Sequence, residues 1–137
     1  MVNDQYGHLV GDEVICNTVM LIKRSLREMD ILARYGGEEF MIYLPHTYPS
    51  EARLLAERVR SSIESTSITA GNGAYSISIT VSMGLISVVD ISDELVEDPA
   101  FYLKELLAMV DESLYKAKAE GRNRIVSTKD SLILGAS

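Results

Sequence analysis

A single cysteine, Cys16, among 137 residues excludes any disulfide within the chain and suits a reducing compartment, so a cytoplasmic setting is expected. Cys16 falls inside an apolar, helix-like pattern and is expected to be a small core residue. One Cys and 2 scattered His are too few for a zinc site. No glycine-rich loop leads into Gly-Lys-Ser or Gly-Lys-Thr, which excludes a P-loop. No apolar run reaches the roughly 18 residues of a membrane span and no signal peptide opens the chain, so no membrane contact is expected of this domain, although it could belong to a longer, anchored protein. Basic residues are the minority, 13 Lys and Arg against 20 Asp and Glu, and the net charge of −7 argues against nucleic acid as a partner. Repeats, low-complexity tracts and internal linkers are absent.

What is present suits one domain with a hydrophobic core, since 47% of residues are apolar. Ile15, Val19, Ile22, Leu26 and Met29 alternate four and three apart, predicting a helix over Asp12 to Met29 with that stripe inward. Ile31 to Tyr35 and Phe40 to Leu44 read as strands joined by a tight turn at Gly36-Gly37, where glycine reaches positive φ. A second helix runs from Pro49 to about Glu64 on Leu55, Val59 and Ile63. Ser67 to Ala70 is a short strand, and Asn72-Gly73 turns it back into Ser76 to Leu85, whose apolar residues alternate with small ones. Asp98-Pro99 caps and opens a third helix with Leu103, Leu106, Leu107, Val110 and Leu114 inward; Gly121 stops it, and Arg124 to Val126 forms a last strand. Val2 to His8 reads as the loop after a strand that the chain does not contain. The order predicts an α+β sandwich with helices covering one sheet.

The stretch Arg34 to Phe40, RYGGEEF, sets two carboxylates at a hairpin tip. From these residues alone two readings stay open: oxygen ligands for a hard cation such as Mg²⁺, or a solvated turn.

Three separated motifs, VNDQYGHLVGDEV (Val2 to Val14), RYGGEEF and ESLYKAKAEGRNRIV (Glu112 to Val126), stand in the order and spacing of the GGDEF family of diguanylate cyclases, which the chain resembles from Val2 to about Val126. The resemblance implies a ferredoxin-like, nucleotidyl-cyclase-like sandwich with a central, mostly antiparallel sheet and flanking helices. Residues 1–126 would be the GGDEF domain and 127–137 a tail. It further implies condensation of two GTP into cyclic di-GMP by a homodimer, with Mg²⁺ or Mn²⁺ as cofactor. Glu38 and Glu39 would be the metal-binding and catalytic acids, and Gly36 and Gly37 would let the nucleotide approach. Asn3 and Asp12 would read guanine, with His8 in the same loop, and Lys118 and Arg122 would hold the triphosphate. Arg27 and Asp30, an R-x-x-D pattern registered on the hairpin, match the family's inhibitory product site, with Arg58 a candidate partner from another domain. Taken residue by residue without the family, Asp12 is an N-cap, Asn3 a turn residue, His8 a surface side chain, Lys118 and Arg122 a solvated helix end, and Arg27–Asp30 a salt-bridged helix terminus.

The family pattern also places a strand with a metal-binding Asp, followed by Phe-Lys, ahead of Val2. Its absence leads us to expect a domain cut at that point, inactive by itself and governed by an upstream sensory or regulatory domain. A GTP or cyclic di-GMP binding module without catalysis is the alternative, and an oligomerisation domain a third; the paired carboxylates speak against the third.

Overall fold

The structure, a computed structural model, describes residues 2–88 and 98–127. The tail beyond Ser127 lies outside the described residues. Ser127 itself, assigned to that tail from the sequence, belongs to a strand and pairs with Leu85.

The elements run α1 (Val2–Tyr6), α2 (His8–Ser25), β1 (Ile31–Gly36), β2 (Glu39–Tyr43), α3 (Pro49–Glu64), β3 (Ser67–Ala70), β4 (Tyr75–Ser78), β5 (Met83–Leu85), α4 (Pro99–Ala119) and β6 (Ile125–Ser127). The α+β class therefore holds. The ladder hydrogen bonds form three two-stranded pairs: β1–β2 and β3–β4 antiparallel, β5–β6 parallel.

Two expectations are corrected at the start of the chain. Val2 to His8 is not a loop but a short helix that stops at Gly7, whose φ of 89° suits glycine and separates α1 from α2. α2 then begins at His8 and ends at Ser25, so Asp12 is no N-cap and Met29 lies beyond the helix. The buried face is Val10, Gly11, Val14, Thr18, Leu21 and Ile22, so of the expected stripe within the helix only Ile22 is buried, Ile15 and Val19 being half-buried at its edge. Cys16 consequently faces solvent rather than the core. Thr18 tolerates burial because its hydroxyl donates to the Val14 carbonyl at 2.7 Å.

α2 serves two clusters. Val10 and Val14 pack with Ile68, Ala70 and Ile77 of β3–β4, while Leu21 and Ile22 pack with Leu55, Val59 and Ile63 of α3. Leu32 and Ile42 of the β1–β2 hairpin lean on the second cluster. The expected strand Ser76 to Leu85 is divided: β4 pairs with β3 and β5 with β6. Its alternation is nevertheless real, for Ile79, Val81 and Met83 are partly buried against the cores between and beyond those ladders.

α4 is capped as expected, the Asp98 carboxylate accepting from the N–H groups of Ala100 at 3.1 Å and Phe101 at 3.3 Å. Its buried positions are Ser113 and Ala117, and Leu103 of the expected stripe is exposed. Small residues face inward because the helix backbone rests on Gly84 of β5. Ser113 Oγ is fully buried with no hydrogen-bond partner among the described residues. An unsatisfied buried hydroxyl costs roughly 1–3 kcal/mol, so Ser113→Ala is expected to stabilise the chain by about 1 kcal/mol. A thermal midpoint that falls in Ser113→Ala would contradict this.

Candidate active site

The hairpin tip is built by the chain around Gly37. The register runs Arg34 opposite Phe40 and Gly36 opposite Glu39, with an irregularity at Tyr35 between them. The two loop residues are thus Gly37, at φ 48°, and Glu38; Gly36 closes the strand and is not part of the turn. Glu38 stands at the apex, exposed. Arg34 reaches along the hairpin and donates to the Gly37 carbonyl from Nε at 2.9 Å and Nη2 at 2.7 Å. That fork fixes the turn from which Glu38 projects. Nothing in the motif alone marks this role for Arg34; its one local signal is a long cation three residues before the turn glycine.

Glu39, the second acid, meets α4. Lys118 Nζ lies 3.6 Å from Glu39 Oε1, with both side chains about half exposed. Solvent screening makes such a pair weak. Its consequence is geometric: the predicted triphosphate lysine and a predicted metal acid are neighbours. Three to five residues on, Gly121, Arg122 and Asn123 all have positive φ, and the loop sets Arg122 at the surface.

A second group forms at the α1–α2 corner. The Asn3 amide lies across Gly11, so closely that a Cβ on Gly11 would fall 1.5 Å from Asn3 Oδ1. Gly11 thereby leaves room for the Asn3 side chain; the next residue, Asp12, is exposed in the second turn of α2, and His8 is exposed at that helix's first residue. Among the described residues no hydrogen bond or ion pair joins this corner to the hairpin tip.

Among the described residues, no three or more His, Cys, Asp or Glu side chains are grouped to hold a metal. Two adjacent carboxylates suffice for Mg²⁺, which commonly takes one or two protein carboxylates and completes its shell with water and substrate phosphates. Glu38 and Glu39 fit that chemistry.

Arg27 and Asp30 form a closed turn after α2 instead of ending the helix. The Asp30 carboxylate accepts from Arg27 N at 2.7 Å and from Arg27 Nη2 at 2.8 Å, and Nη2 also donates to Thr47 Oγ1. Hydrogen bonding to the Arg27 side chain holds the Asp30 carboxyl below its ordinary pKa, and the same bond raises that of Arg27. Arg58 is exposed on α3.

The family model for the diguanylate cyclase GGDEF domain matches residues 1–124. Diguanylate cyclase A of Treponema denticola is 37% identical over 132 residues, covering 96% of this chain and 33% of the relative. Response regulator PleD of Caulobacter vibrioides is 34% identical over 125 residues, covering 91% of this chain and 26% of the relative. Among solved structures, the GGDEF domain of DgcB from Caulobacter crescentus in complex with c-di-GMP superposes with a TM-score of 0.78 at 29% identity, covering 93% of this chain and 70% of that one. The chain spans about a quarter to a third of the length of the curated relatives it matches.

Proposed function

The chain belongs to the GGDEF family of diguanylate cyclases, and from that premise we propose that it is the domain that joins two GTP molecules into cyclic di-GMP. The observation that carries the reading is the hairpin tip: an apical Glu38 on a turn held by Arg34, with Glu39 beside Lys118 of α4. Two copies of the domain each hold one GTP. The 3′-oxygen of one nucleotide forms a bond to the α-phosphorus of the other, the bond from that phosphorus to the β-phosphate bridging oxygen breaks, and pyrophosphate leaves; repetition in the opposite sense closes the ring.

Bound Mg²⁺ or Mn²⁺ would neutralise phosphate charge. Glu38 and Glu39 would hold it, and Glu38 assists removal of the 3′-hydroxyl proton. Gly36 and Gly37 present no side chain on the approach to Glu38, so a nucleotide can come close to the backbone there. Asn3 and Asp12 offer an amide and a carboxylate to the guanine edge, with His8 alongside. Lys118 and Arg122 take the triphosphate. Since chemistry of this kind depends chiefly on positioning and charge compensation, a stiff tip suits it. Assay of GTP turnover to cyclic di-GMP with Mg²⁺ tests the reading; nucleotide binding without product would point to a signalling module that does not catalyse.

The Arg27–Asp30 turn is proposed as an inhibitory product site. Arg27 is 39% exposed, so part of its fork is reachable while Asp30 holds it in place. Cyclic di-GMP bridging this turn and Arg58 of a second copy would fix two domains with their tips apart. Arg27→Ala/Asp30→Ala is expected to weaken cyclic di-GMP binding at least tenfold, about 1.4 kcal/mol, leaving initial rates at low product unchanged. Calorimetry and progress curves check both; retained affinity with retained inhibition would remove the assignment.

A further inference from the structure

Arg60 lies on α3, outside every group of residues assigned above, and its side chain is only 15% exposed. We propose that Arg60, acting through Asn123, positions Arg122 to meet the triphosphate of GTP; it is a positioning residue and touches no substrate. The inference rests on the reading of Arg122 as a triphosphate ligand.

Arg60 spends its donors on the protein. Nε and Nη2 bond the Glu57 carboxylate, and Nη1 bonds Glu64 Oε2 at 2.7 Å and Asn123 Oδ1 at 2.8 Å. With two carboxylates around it, its charge is compensated locally, so it is poorly suited to bind phosphate itself. Its reach across 63 residues of sequence ends on the loop that carries Arg122.

Asn123 is gripped at both ends of its amide. Oδ1 accepts from Arg60, and Nδ2 donates to Glu64 Oε1 at 2.8 Å, so the side chain cannot turn without losing one bond. Arg122 and Asn123 are both left-handed, at φ 63° and 46°, a conformation that asparagine tolerates and that a long side chain such as Arg122 holds only where surroundings impose it. What imposes it on the backbone is visible. Arg122 N donates to the Ala117 carbonyl at 2.9 Å, and the Arg122 carbonyl accepts from Arg124 Nε at 3.0 Å. The Arg60–Glu64–Asn123 grip anchors the next residue to α3. The direction of the Arg122 Cα–Cβ bond is therefore set, while its guanidinium makes no hydrogen bond or ion pair among the described residues.

The experiment is calorimetric titration of the chain with GTP and Mg²⁺, alongside amide exchange of the Arg122 N–H. Arg122→Ala is expected to weaken GTP about tenfold or more, and Arg60→Met about tenfold, each tenfold being about 1.4 kcal/mol. Arg60→Met added to Arg122→Ala should cost nothing further, because the effect runs through Arg122. Arg60→Lys should not rescue, since one ammonium nitrogen cannot hold Glu57 as Nε and Nη2 do and also bridge Glu64 and Asn123 as Nη1 does. Asn123→Gly keeps positive φ accessible while removing the tether, so it carries the same test should Arg60→Met fail to fold. Both tether variants should speed exchange of the Arg122 N–H, a change that requires no nucleotide. Absence of GTP binding, or unchanged binding in Arg122→Ala, overturns the triphosphate reading and this proposal with it. Weakened binding in Arg122→Ala with none in Arg60→Met or Asn123→Gly overturns the positioning role alone, as does an Arg60→Met loss that adds in full to that of Arg122→Ala.

Discussion

Glu38→Gln, assayed in the longest protein its reading frame encodes, is expected to form cyclic di-GMP at least about a hundredfold more slowly than the unsubstituted protein, a loss of roughly 2.7 kcal/mol in transition-state stabilisation. The substitution keeps the side chain's size and removes only its charge. Glu38 is exposed at the apex of a turn whose conformation depends on Gly37 and on the Arg34 fork to its carbonyl, neither of which involves the Glu38 carboxylate. Surface changes of this kind usually move stability by no more than about 0.5 kcal/mol, so the thermal midpoint should be unchanged. A carboxylate needed for a hard cation and for proton removal is replaced by a neutral amide, and both contributions go together. Turnover within a factor of two or three of the unsubstituted protein would remove Glu38 from the metal site. Inactivity accompanied by a large fall in thermal midpoint would mean that the tip fails structurally.

The sequence made some of this legible and hid the rest for physical reasons. α3 was readable to its ends because Pro49 sets the first turn and Leu55, Val59 and Ile63 repeat at helical spacing; all three are buried. The Asp98 cap and the hairpin were readable because both are local: a side chain bonding its own next turn, and glycine reaching positive φ. The face of α2 was not. A stripe chosen from the most apolar residues passes over Thr18, whose polarity is satisfied within the helix, and a start placed at Asp12 overlooks Val10. Alternation in Ser76 to Leu85 told which side chains point inward and could not tell which strands receive the hydrogen bonds. The site divides in the same way. Its acids and cations are carried by short motifs, whereas Arg60 and Asn123 are joined only by folding.

Gly84→Ala should do the most damage to the fold, lowering the thermal midpoint by on the order of 10 °C and weakening GTP binding with it. A Cβ on Gly84 would lie 2.5 Å from the Val110 carbonyl oxygen and 2.6 Å from Leu114 N, and both atoms are backbone within α4. No side-chain rotation relieves that overlap; the helix must move away from β5. Two effects oppose each other. Replacing glycine by alanine stiffens the unfolded chain and ordinarily gains about 0.4–1 kcal/mol where the backbone allows it. Overpacking costs roughly 1–3 kcal/mol when flexible side chains can adjust, and this contact, against helix backbone, belongs at or above the upper end. The loss therefore wins. It carries consequences for the site because α4 bears Lys118 and leads directly into the Arg122 loop, so displacing the helix shifts both cations relative to Glu39. Ser113→Ala, on the same helix, supplies the control of opposite sign. Differential scanning calorimetry and GTP titration of the two variants check the pair. A Gly84→Ala midpoint within a degree or two of the unsubstituted chain, with GTP binding intact, would show that α4 and β5 do not meet this closely in solution.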